Sequence, residues 1–83
     1  MNKRVILFEL KEAFEELQRT LSELEQDSSY GEEEFQVAMG HIYHHMNSAW
    51  NERKCTDEEF RECSAENFAR WRRFPKESEL LLE

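Results

Sequence analysis

Leu7, Leu10, Phe14, Leu17, Leu21 and Leu24 recur at alternating spacings of three and four without a break. That spacing places six large apolar side chains on one stripe of a helix, expected over residues 3–26. A strand repeats every two residues and cannot carry the pattern. Ile6 and Ala13 widen the stripe, while Glu9, Glu12, Glu15, Glu16, Glu23 and Glu25 are expected outside it. Such a stripe is covered by a helix of the same chain or of a second chain, and spacing alone does not choose between them.

Two further helices follow. Ser29-Tyr30-Gly31-Glu32 has the form of a capping box, in which a serine oxygen takes an orphan backbone N–H and a glutamate reaches back. The helix that it opens, expected over residues 30–54, carries Phe35, Met39, Ile42, Met46 and Ala49 on one line. Ala38, Tyr43 and Trp50 lie beside that line and Gly40 lies opposite. So wide an arc implies more than one neighbour. Thr56 and Glu59 form a second capping box, with Cys55 and Phe60 at the staple positions, and start a helix expected over 57–74. Phe60, Cys63, Phe68, Trp71 and Phe74 share its face, and Pro75 stops it. Residues 76–83, with Leu80, Leu81 and Leu82, are expected as a tail that docks or frays.

Composition narrows the class. Two Gly and one Pro in 83 residues leave too few turn residues for a sandwich, barrel or hairpin architecture. With 39% hydrophobic residues the chain has too much apolar content for disorder. No apolar run reaches the length of a membrane span, and Glu9 and Lys11 cut the Val5–Phe8 run short of a secretory signal. The expectation is one all-α domain over residues 1–75. It is an antiparallel helical hairpin plus a third helix, three-helix-bundle-like, assembling into a dimeric helical bundle, in a cytoplasmic protein without membrane partners.

The net charge of −8 is unevenly placed. Residues 30–52 hold four Glu and no Lys or Arg, whereas 53–75 hold six basic and five acidic groups. An acidic surface repels phosphate backbones, so no nucleic-acid partner is expected. Arg70, Arg72 and Arg73 with Lys76 lie at a helix end, where cations complement the dipole.

Candidate chemistry is sparse. His41 and His45 stand one turn apart, the spacing by which one helix offers two imidazoles to a metal ion. The run His41-Ile42-Tyr43-His44-His45 lacks the glutamate of a zinc-protease motif. Cys55 and Cys63, eight residues apart on one helix, would be about 12 Å apart, too far for a disulfide. No phosphate loop or nucleophile elbow is present, so neither catalysis nor a cofactor is expected. Trp50 with Arg53, and Trp71 with Arg70, Arg72 and Arg73, couple the residue types most enriched at interface hot spots. The leading expectation is therefore a non-catalytic protein–protein interaction or regulatory module, paired with itself or with another protein. One alternative is a metal-binding protein using His41 and His45. Another is an acidic inhibitor of a basic nuclease or DNA-binding protein, drawn from the acidity of residues 30–52.

Overall fold

A computed structural model describes residues 1–62 as three helices without a strand among the described residues: α1 Lys3–Gln26, α2 Glu32–Asn51 and α3 Asp57–Glu62. Cys63, Arg70, Trp71, Arg72, Arg73, the rest of the expected third helix and the tail lie outside the described residues. α1 and α2 pack along each other as an antiparallel hairpin.

The helix ends follow from local side-chain chemistry. Asn2 caps α1, its Oδ1 accepting from the Val5 N–H at 3.3 Å. At the far end the Asp27 carboxylate accepts from both the N–H and the hydroxyl of Ser29, at 2.9 and 2.6 Å. This Asx turn occupies Ser29, so the expected Ser29–Glu32 box does not form. α2 instead starts two residues later, where Glu34 accepts from the Gly31 N–H at 2.9 Å. Three glutamates in the first turn, Glu32, Glu33 and Glu34, suit the positive end of its dipole. α2 ends at Asn51, three residues before the expected 54, because the chain turns at once through Arg53 N–H to Trp50 C=O and Cys55 N–H to Glu52 C=O. The Thr56–Glu59 box forms as expected: the Thr56 N–H donates to Glu59 Oε1 and the Glu59 N–H to Thr56 Oγ1, both at 3.0 Å.

Asn2 also ties the open end of the hairpin together. Its N–H donates to the Arg53 carbonyl at 2.6 Å. Its side-chain amide donates to the Cys55 carbonyl and to Asp57 Oδ1, both at 3.0 Å. Phe60 then meets Phe8 edge to face, ring centres 5.7 Å apart, which holds α3 against the start of α1.

The seam between α1 and α2 is made of small and polar residues. Val5, Ala13, Ala38, Ile42 and Ala49 are the buried apolar residues among those described, and Glu9, Thr20, Asn47, Ser48 and Glu52 are buried with them. On α1 the buried positions Val5, Glu9 and Ala13 follow a four-residue ridge, a row along which helices interdigitate, and Thr20 lies two turns beyond Ala13 on the same face. Alanine side chains let the two backbones approach closely. The Leu/Phe stripe does not take part.

Candidate functional site

Leu7, Leu10, Phe14, Leu17, Leu21 and Leu24 are each between 42% and 59% exposed. On a helical wheel at about 100° per residue their stripe is rotated about 110° from the seam. On α2, Phe35, Tyr43 and Met46 are exposed, while Met39 and Trp50 are half-buried. Their row is rotated from the α2 seam by a similar angle, about 110°, in the same sense. Because the helices run in opposite directions, equal rotations bring both rows to one side of the hairpin. A hollow of about 250 Å³ lies there at the open end, lined by Met1 and Ile6 from one side and Met46, Ala49, Trp50 and Arg53 from the other. The opposite side is mostly polar, with Glu16, Arg19, Glu23, Glu34 and His41 around a second hollow that the exposed Val37 also lines. The hairpin is thus two-faced.

Arg53 finishes the apolar face. Its guanidinium carbon sits 3.7 Å from the Trp50 ring centre, and its Nη1 donates to the Trp50 carbonyl at 2.7 Å. The contact is a cation–π stack, and it brings together the expected pair Trp50 and Arg53. Their expected companions Arg70, Trp71, Arg72 and Arg73 lie outside the described residues.

His41 and His45 both face α1, each toward its own glutamate. His41 Nδ1 lies 3.3 Å from Glu16 Oε1, and His45 Nδ1 lies 3.6 Å from Glu9 Oε2. Among the described residues no group of three or more His, Cys, Asp or Glu could hold a metal ion. Burial, with the neighbouring charges of Glu52, Glu59 and Asp57, raises the Cys55 thiol above its ordinary pKa. This is the opposite of what a reactive thiolate requires.

Glu9 and Glu52 form the least expected part of the molecule. They are only 5% and 6% exposed, although periodicity places Glu9 outside the apolar stripe. The Glu9 and Glu52 Oε2 atoms and His45 Nδ1 are buried without a hydrogen-bond partner among the described residues. Burial raises the pKa of Glu9, and nearby His45 and Ser48 offset part of the effect. Burial, reinforced by the charge of Glu9, pushes Glu52 up to about 7. Two carboxyls therefore share one buried seam, and each gives up its proton less readily than an exposed carboxyl. The sequence signal for Glu9 is its place one turn from both Val5 and Ala13, which side-chain size alone does not reveal.

No described helix is long and apolar enough to cross a membrane. No protein-family model matches the chain, and no curated protein or solved structure matches it.

Proposed function

We propose that this chain is a non-catalytic protein–protein interaction module whose apolar face closes against a second copy, giving a dimeric four-helix arrangement. The observation that carries this reading is the exposure of the whole α1 stripe on the same side as Phe35, Tyr43 and Met46. The three aromatic side chains alone, about half exposed, present roughly 300 Å² at about 200 Å² each, and the five Leu and Met46 extend the patch further. A monomer seldom exposes a contiguous apolar patch beyond a few hundred Å². A stable complex hides about 800 Å² per partner, so one further copy suffices to cover the face. A two-fold dimer also satisfies both copies at once with a self-complementary surface.

A charge at the centre of the face tests the reading. Phe14→Glu leaves the seam untouched, because Phe14 lies on the stripe and not among the buried seam positions Val5, Glu9, Ala13 and Thr20. The variant is expected to run as a monomer in gel filtration, with helical circular dichroism retained and increased binding of a hydrophobic dye. An unchanged elution volume and dye signal for both proteins would overturn the reading.

A further inference from the structure

We infer that the second copy docks antiparallel, seating its Leu21–Leu24 end on the Trp50–Arg53 hollow of the first. This inference rests on the self-association proposed above and adds its orientation. Two independent observations carry it, the off-centre place of the hollow on the apolar face and the polarity of its charge.

The α1 stripe runs from Leu7 to Leu24, and its midpoint falls between Phe14 and Leu17. The α2 row runs from Phe35 to Trp50, and its midpoint falls beside Tyr43. The cross-seam neighbours Glu9–His45 and Glu16–His41 fix the level of one helix against the other and set Tyr43 near Phe14. The two centres therefore fall within about 5 Å of each other along the hairpin. A two-fold axis between them lays the face on itself, and at 1.5 Å per residue Leu24 and Ile6 each fall about 14 Å from it. Leu24 of one copy then meets the hollow that Ile6 and Trp50 line in the other. In a parallel arrangement the hollow faces the equivalent hollow of the second copy and stays unfilled, and Leu24 lies over the start of the second copy's α2.

Charge favours the same choice. Residues 15–34, the loop half of the hairpin, carry eight carboxylates and one base, Arg19, for a net charge of −7. The rest of residues 1–62, the open half, carries six bases and seven acids, net −1. Parallel docking would press two strongly acidic loop halves together, which is costly within a Debye length. Antiparallel docking instead sets Glu25 and Asp27 beside the end that holds Lys3, Arg53 and Lys54.

Spin-label distances decide the orientation. Ser28 lies in the exposed turn between α1 and α2, away from the face, so Ser28→Cys should leave folding intact. The label goes onto the full 83-residue chain with both native thiols replaced (Cys55→Ser, Cys63→Ser). Antiparallel docking places each label about 20 Å from the two-fold axis and hence about 40 Å from its partner, a separation that pulsed electron resonance measures directly. Parallel docking brings them within about 20 Å, since packed helices stand about 10 Å apart. A distance near 20 Å in a sample that sediments as a dimer would overturn the orientation and leave the self-association standing. A monomer without dipolar coupling would overturn both.

Discussion

Replacing Glu52 with Gln should change how the stability of the hairpin depends on pH. Burial and the charge of Glu9 hold the Glu52 carboxyl near 7, against 4.5 when exposed. A folded-state pKa above the unfolded one means that the native chain binds the extra proton. The resulting stability is complete below about 4.5 and is lost as pH rises through about 7. At about 1.4 kcal/mol per pH unit, the difference amounts to about 3 kcal/mol between the two limits. A neutral amide of the same shape removes the titration, and its NH₂ can donate toward a neighbouring carboxylate. Urea unfolding followed by circular dichroism at pH 4.5, 6, 7 and 8, at one fixed protomer concentration, measures the effect. The parent should lose about 3 kcal/mol across this range beyond what Glu52→Gln loses. The two should be nearly equal at pH 4.5, and the variant should be the more stable at pH 8. The general easing of charge repulsion at low pH acts on both proteins, so their difference isolates Glu52. Glu9, raised in the same direction, leaves a smaller slope in the variant. Parallel profiles for the two proteins would refute the burial of Glu52 in the seam.

Three other substitutions probe the fold, each read from urea midpoints at fixed concentration and pH. Gly40→Ala should stabilise by about 0.5–1 kcal/mol, because Gly40 is an exposed helical residue and its new Cβ would meet nothing within 4 Å. Asn2→Ala removes the α1 cap and the bonds to Cys55 and Asp57, at a cost of about 1–2 kcal/mol. Ala13→Leu forces a large side chain into a seam where Ala13 is buried. It should destabilise by about 1–3 kcal/mol, although the substitution raises helix hydrophobicity. A neutral Ala13→Leu would show that the helices do not meet through that ridge.

The course of α1 and the Thr56–Glu59 cap are legible in the chain because each depends on residues within one or two turns. α1 runs over Lys3–Gln26, the range its periodicity predicts. The start of α2 is less legible because two cap chemistries compete for Ser29, and the nearer carboxylate of Asp27 wins. The seam is hidden for a different reason. Periodicity weighs residues by size and apolarity, and the largest side chains of α1 face away from α2. The contact is built from alanines, Val5, Ile42 and carboxyls, which add little to an apolar pattern but permit close approach. Of the residues expected at an interaction surface, Trp50 and Arg53 meet in space, as their closeness along the chain makes possible. His41 and His45 share a face as predicted, yet the partners they find are Glu16 and Glu9, residues of another helix that spacing along α2 cannot reveal.

The exposed stripe ties these observations together, and the mass of the particle in solution tests it most directly. Sedimentation equilibrium of the parent chain over a tenfold range of micromolar concentration should return twice the chain mass of 10.1 kDa. A 10.1 kDa particle at every concentration would contradict the self-association on which the proposed function stands.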